Sequence, residues 1–377
     1  MPEQIPMVDL QRQYLRLKPE IDDAIAGVLE SAQFIQGAEV RAFEQDLAAY
    51  TGAENVISCA NGTDALQLAC MALGLKPGQK VLVPAFTYIA TAEILLLLGL
   101  HPVYCDVDIR HFMLTPATLE KSWTPDCRAL IVVHLFGQCP DMEAILEWAA
   151  FREVAVIEDN AQSIGAIYKG RNLHAQAGTM GNIGTTSFFP SKNLAAYGDG
   201  GALMTNSDIL AQQLKMLANH GQSKRYYHDL VGINSRLDTI QAAILRVKLR
   251  HLDDFVKARQ EAAALYDAML GDVEGIYIPY RNPHSTHVFH QYTIRLDVHF
   301  DREHIQQYLA EKGIASAVYY PLPIYKQKAY FQHDCHPDDF PVTEMLSKVV
   351  LSLPMHTELS AEQVDYICTT LKKAIHG

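Results

Sequence analysis

Between residues 55 and 159, short apolar runs alternate with stretches of helical periodicity, and this alternation restricts the fold more than any other feature of the chain. NVISCA (55–60), KVLVPA (80–85), HPVYCDVD (101–108), ALIVVHLFG (129–137) and VAVIED (154–159) are almost continuously apolar. They therefore read as strands covered on both faces. Helices are expected from the cap-and-turn residues of NGTDALQLACMALG to Gly74, over 87–98, after Pro116 and over 141–150. Strands separated by helices give a mostly parallel sheet of the seven-stranded type flanked by helices, an α/β fold. Ligands of such sheets gather outside the carboxyl ends of the strands.

Two helices are expected before the first strand, and one over 207–219 beyond the last. A single helical run over 239–270 is long enough to join two domains, and 377 residues exceed what one core usually encloses. The expected division is a large domain with an N-terminal arm over 1–250 and a smaller α+β C-terminal domain over 251–377. In the second, GIYIPY, VFHQYTIRLD and ASAVYY read as strands, with helices beginning near Asp301, Val342 and Ser360.

The net charge of -12, without a Lys/Arg cluster, argues against nucleic acid or an anionic membrane as a partner. The longest apolar run, ILLLLGL (94–100), is far short of a bilayer span, and no signal-peptide pattern opens the chain. Seven cysteines form no CxxC pair or regular framework, which favours reduced core residues and a cytoplasmic location.

Chemistry concentrates at the expected strand ends. Lys192 lies in SFFPSKNLAAYGDGGALMTN (187–206), between two apolar runs. A lysine there either reaches for solvent or, if enclosed, loses its charge and attacks a carbonyl as a neutral amine. Asp159 ends an apolar strand, where a carboxylate caps the next turn or holds a proton on a ligand nitrogen. Gly62 and Thr63 open a helix after a strand, as an ordinary Asn-Gly turn or as an anion site of free N–H groups, a hydroxyl and a helix dipole. Tyr88 is a core aromatic or a ring that stacks on a flat ligand. Taken together, the amine, the carboxylate, the aromatic and the anion site match the needs of pyridoxal 5'-phosphate. Asp159 would hold the ring nitrogen protonated, and Lys192 would carry the cofactor and shuttle protons.

The set SCANGTDALQ, PAFTYIATAE, EDNAQSIGA, SFFPSKNLAAYGDGGA and GINSRLDTIQAAIL resembles the DegT/DnrJ/EryC1/StrS sugar aminotransferases, fold type I pyridoxal-phosphate enzymes, over nearly the whole chain. The resemblance implies Lys192 as the Schiff-base lysine, Asp159 at the pyridine nitrogen, Tyr88 on the ring and Gln162 near the ring hydroxyl. It implies phosphate binding by Gly62, Thr63, the Asp64 backbone and Ser187. It also implies a homodimer with shared sites, Asn234 reaching the neighbour's cofactor phosphate and Arg236 meeting a sugar carboxylate. QFIQGAEV, LFGQC, HGQSKRYYHD and QYTIRLD bring the likeness closer to bacterial enzymes of surface-polysaccharide synthesis that aminate UDP-2-acetamido-2-deoxy-3-keto-glucuronic acid. L-glutamate is the implied donor, and the cofactor passes through its pyridoxamine 5'-phosphate form.

Relatives acting on that keto-uronate tend to carry His-Tyr where this chain has Tyr319-Tyr320; Tyr320 is carried over as a sugar contact, and the role of Tyr319 stays open. Enzymes for dTDP-linked 3-keto- or 4-keto-6-deoxyhexoses remain an alternative, because some also carry N-S-R-L-D. Some members of the family dehydrate sugars and carry histidine in place of the lysine, a branch against which Lys192 argues; a non-catalytic cofactor-binding regulator, the alternative of another class, would need an appended DNA-binding segment or a lost catalytic residue, and neither is seen. His284, His287 and His290, and His333 with Cys335 and His336, hint at a metal. The first set runs into an expected strand and cannot share one face, so no metal is expected.

Overall fold

A computed structural model describes residues 4–330 and 335–376. Helices α1 (Leu10–Ser31) and α2 (Ala38–Thr51) precede β1 (Asn55–Cys59). There follow α3 (Gly62–Ala72), β2 (Lys80–Pro84), α4 (Ala90–Leu97), β3 (His101–Cys105), α5 (Pro116–Ser122), β4 (Cys127–Val133), α6 (Met142–Phe151) and β5 (Ala155–Asp159). The ribbon β6 (Ile167–Lys169) and β7 (His174–Gln176) leads to β8 (Ile183–Ser187), β9 (Gly201–Thr205), α7 (Asp208–Leu217) and the hairpin β10 (Gln222–Lys224) and β11 (Tyr227–His228).

Seven strands form one sheet in the order β1-β9-β8-β5-β4-β2-β3. Pairings among β8, β5, β4, β2 and β3 are parallel, while β9 runs antiparallel to both β8 and β1. The fold is thus the expected α/β architecture. Alternate side chains of each strand serve opposite faces. Val81, Val83, Ile131 and Ile157 pack with Leu66, Cys70, Ile94, Leu95 and Leu214 of α3, α4 and α7. Leu82, Leu130, Val132 and Val156 pack instead with Leu119, Ile145 and Trp148 of α5 and α6. Continuously apolar strands were required because both faces are covered.

The C-terminal part comprises α8 (Thr239–Arg250), α9 (Leu252–Leu270), β12 (Ile276–Tyr277), β13 (Tyr292–Leu296), α10 (Arg302–Glu311), α11 (Pro341–Val349), β14 (Val350–Leu353) and α12 (Ala361–His376). The single helix expected over 239–270 is broken. His251 takes φ -104° and ψ 5°, and its N–H reaches back to Lys248 O at 3.1 Å. That three-residue reach tightens the last turn and turns the chain. Strands β12, β13 and β14 form an antiparallel sheet. Its third strand is β14, beyond α11. ASAVYY contributes only an isolated bridge between Ala317 and Ser352. Pro321 and Pro323 follow directly, and proline cannot donate to a ladder.

Ile5 donates to Gly313 O at 2.8 Å and packs in the cluster built on α9, α10 and α12. We therefore propose the boundary near residue 250, with the first described residues attached to the C-terminal unit. Six of the seven cysteines are buried, and no helix among the described residues is long and apolar enough to cross a membrane.

Candidate active site

Lys192 sits in the loop between β8 and β9, and this loop is closed on itself. Phe188 N donates to Gly200 O, Ala196 N to Phe188 O and Lys192 N to Phe189 O, each at 2.8 Å. Leu194 and Ala196 are buried beneath it against Phe188. The neighbouring Asn193 Nδ2 donates to Val288 O at 3.0 Å. Lys192 itself is half-buried. Burial lowers its amine to about 8, against the opposing influence of the Asp159 carboxylate. The residue is thus enclosed yet reachable, as an attacking amine must be.

Asp159 closes β5 and is buried. Thr91 Oγ1 donates to its Oδ2 at 3.1 Å, and Ala161 N to its Oδ1 at 3.2 Å. Burial raises its pKa, opposed by the Ala161 N–H, the Lys192 charge and the Thr91 hydroxyl. A buried carboxylate in this state gains from a cationic N–H placed opposite it. The adjacent Glu158 points to the other side of the sheet and is fully satisfied there. It accepts from His134 Nε2 at 2.7 Å and from the N–H groups of Gly178, Met180 and Gly181 at 2.9, 2.6 and 2.5 Å. Burial opposes charge on His134, but contacts with Cys139 and Glu158 outweigh it and raise its pKa to about 10. Neither Thr91 nor the His134–Glu158 pair was anticipated from sequence. Two hints existed: Thr91 stands three residues after Tyr88, and a carboxylate inside an apolar strand needs a partner.

Gly62, Thr63 and Ser187 converge. Asn61 caps α3, its Oδ1 accepting from Asp64 N at 2.8 Å. The N–H groups of Gly62 and Thr63 have no partner among the described residues. A Cβ on Gly62 would stand 2.6 Å from Ser187 Cβ, so glycine lets the helix start lie against the end of β8. Similarly, a Cβ on Gly201 would stand 2.5 Å from Asn61 C, which would push β9 away from this turn. One expectation changes: the Asp64 N–H is occupied by the cap, which leaves Gly62 and Thr63 as the open donors.

The helix expected over 87–98 begins only at Ala90, and Tyr88 lies in the preceding turn, 58% exposed. It is not a core aromatic. Its ring centroid is 6.3 Å from that of Tyr320, which also contacts Phe86 at 5.9 Å and Tyr319 at 6.0 Å. Gln162 Oε1 accepts from Phe136 N at 2.6 Å, and Gln162 Nε2 donates to Tyr320 Oη at 3.3 Å. Burial pushes the Tyr320 phenol up, so it stays a neutral donor.

Asn234 and Arg236 line a recess of about 420 Å³, shared with Ile35, Ala60, Asp199 and Gln241, whose walls do not include Lys192. Ser235 between them ties this loop to the cofactor-side turn, Ala60 N donating to its Oγ at 3.0 Å. Among the expected metal candidates, His287 stacks on Phe289 at 3.9 Å and His284 lies against Tyr168. His333 lies outside the described residues. No group of three or more His, Cys, Asp or Glu among the described residues is placed to hold a metal.

The free N–H groups beside Ser187, the buried carboxylate, the exposed tyrosine ring and the low-pKa amine together fit pyridoxal phosphate. The model of the DegT/DnrJ/EryC1/StrS aminotransferase family matches residues 16–372. The chain is 46% identical over 367 residues to a UDP-2-acetamido-2-deoxy-3-oxo-D-glucuronate aminotransferase of Pseudomonas aeruginosa, covering 97% of this chain and 99% of that protein. It is 44% identical over 373 residues to a UDP-N-acetyl-3-dehydro-alpha-D-glucosamine 3-aminotransferase of Acidithiobacillus ferrooxidans, covering 99% and 98%. The crystal structure of S. venezuelae DesV in complex with a ketimine intermediate superposes with a TM-score of 0.94 at 36% identity, covering 99% of each chain.

Proposed function

We propose that this chain, which belongs to the DegT/DnrJ/EryC1/StrS aminotransferase family, aminates the C3 ketone of UDP-2-acetamido-2-deoxy-3-keto-D-glucuronic acid with L-glutamate as donor. The chain is a pyridoxal-phosphate aminotransferase acting on a nucleotide-linked sugar. The observation that carries the reading is the meeting of Lys192, Asp159, Gly62 and Ser187 at the carboxyl ends of β5 and β8. When bound, the cofactor supplies an electron sink for the charge left by a departing proton.

The chain's own residues divide the remaining work. Gly62 N–H, Thr63 N–H and Ser187 Oγ grip the phosphate at the positive end of α3. Asp159 keeps a proton on the ring nitrogen, held in place by Thr91. Tyr88 would cover the ring face, and Gln162 would hold the side of the ring hydroxyl. Lys192 Nζ would hold the cofactor covalently at rest and would give and take the proton of the reaction. An amine near pKa 8 suits that task, since it both gives and takes a proton near neutral pH.

The site reads as shared between two copies. Asn234 and Arg236 line a recess that does not include Lys192, which supports their reaching the cofactor phosphate and the sugar carboxylate of a partner site. Tyr320, hydrogen-bonded to Gln162, lies where the sugar would enter, with Tyr319 beside it. The reading extends to a homodimer in the cytoplasm.

A second reading has its own support in the Acidithiobacillus relative, named for a sugar that lacks the carboxylate. The two are separated by offering the pyridoxamine-form enzyme each 3-keto sugar, generated in situ, while following the cofactor spectrum. The uronate is expected to react at least tenfold faster. Arg236→Met is expected to cost the uronate roughly 100-fold and the uncharged sugar little, the span of a charged hydrogen bond. Equal rates for the two sugars with the unmodified protein would defeat the uronate assignment. Borohydride fixation at a lysine other than Lys192 would defeat the site itself.

A further inference from the structure

The loop that carries Lys192 is anchored at its far end by a lysine that the reaction does not use. Lys248 lies within α8 at 1% exposure, and its Nζ has no hydrogen-bond partner. An ammonium without a partner in the interior is costly, and apolar replacements of such groups often stabilise a fold. Lys248 Nζ stands 4.3 Å from the ring centroid of Tyr197, five residues beyond Lys192 in the same loop. The Tyr197 hydroxyl is likewise without a partner, so the ring, not the hydroxyl, makes the contact. Against the ring stands Tyr14 of α1, edge-on at 5.9 Å, itself fixed by donating to Asp22 at 2.8 Å.

The loop is held to α8 by a second contact one turn and more away. Tyr197 N donates to Gln241 Oε1 at 2.8 Å. Between Lys192 and Tyr197, Asn193 is fastened to Val288, and on the preceding side Lys192 N donates to Phe189 O at 2.8 Å. The segment that follows Lys192 is thus held at Asn193 and at Tyr197, and only the second hold contains a charge. Electron-rich aromatic faces attract cations most strongly where water is excluded.

We propose that Lys248 is a positioning residue for Lys192, acting through a buried cation–π contact with Tyr197 that fixes the 192–197 turn. Burial alone lowers the Lys248 amine to about 7, and the tyrosine face opposes that fall by favouring the charged form. Loss of the contact frees the turn at Tyr197 and tilts the amine that bonds to the cofactor. A displacement of that kind far from the chemistry is enough to slow it. The inference rests on Lys192 being the cofactor lysine, which borohydride fixation in the unmodified holoenzyme tests separately.

The decisive measurement is the visible circular dichroism of the bound cofactor, which reports its tilt, together with kcat, KM and melting temperature. Lys248→Met, equal in length and uncharged, is expected to melt no lower than the unmodified holoenzyme. Its visible dichroism should nevertheless fall at least twofold and its kcat about tenfold, with KM changed less than twofold. Tyr197→Leu should reproduce this spectrum and rate, and Tyr197→Phe, which keeps the ring, should restore both. Because the two residues act as one contact, the double variant Lys248→Met/Tyr197→Leu should be no worse than either single one. Unchanged dichroism and kcat in Lys248→Met, or additive losses in the double variant, would overturn the proposal.

Discussion

Asp159→Asn tests the electrostatic link on which the candidate site depends. Burial brings Lys192 from the ordinary 10.5 to about 8, with Asp159 pulling the other way. At pH 7 an amine titrating near 8 is about one-tenth neutral, against roughly 0.03% for an ordinary lysine, so the attacking form is enriched about 300-fold. Removing the carboxylate takes away the charge that favours the ammonium. The midpoint must therefore fall, by roughly one unit at the low end of what a nearby opposite charge contributes. The neutral fraction at pH 7 then rises about fivefold. The assay is the second-order rate at which cofactor-stripped protein takes up pyridoxal phosphate, followed by absorbance from pH 6 to 9.5. The ratio of variant to unmodified protein cancels the cofactor's own ionisations. The unmodified protein should speed up with pH and level off above about 8. The variant should level off earlier and be faster at pH 7, while its turnover drops by roughly 100-fold or more for want of the group at the ring nitrogen. A midpoint near 10 in the unmodified protein, or one that rises in the variant, would refute the reasoning.

Gly62→Ala places a Cβ 2.6 Å from Ser187 Cβ, so the helix start or Ser187 must give way. Cofactor affinity, read by quenching of intrinsic fluorescence, should fall tenfold or more, with about 1–3 kcal/mol of stability lost; tight binding would show that the two residues do not form the phosphate cradle. His134→Leu leaves the buried Glu158 carboxylate with three backbone donors and no cation. A loss of about 3 kcal/mol is expected from the urea midpoint, and an unchanged midpoint would count against a charged pair.

What sequence reveals here depends on whether a feature is local. Lys192, Asp159, Gly62 and Ser187 are readable because each stands at the end of an apolar run, and strand ends are where such a sheet binds. Thr91 and the His134–Glu158 pair are not, since they meet only through the register of separate strands and helices. ASAVYY and the VLSL of β14 carry similar apolar patterns; the partner strand, not the pattern, decides which of them completes the small sheet. The break at His251 escapes notice because helical periodicity continues across it. For Asp64, the cap formed by Asn61 competes for the same N–H, a local contest that residue types alone leave open.

The attachment of Ile5 to Gly313 and of Met355 N to Met7 O brings opposite ends of the chain together. During synthesis residues 5–7 cannot dock until Gly313 and Met355 have been made. Strand β1 waits as well, because β9, its sheet neighbour among the described residues, is made after five other strands of the same sheet. Contacts so distant in sequence form late and slowly. Docking of residues 5–7 is therefore expected late in folding, after the partners around Gly313 and Met355 have taken their places.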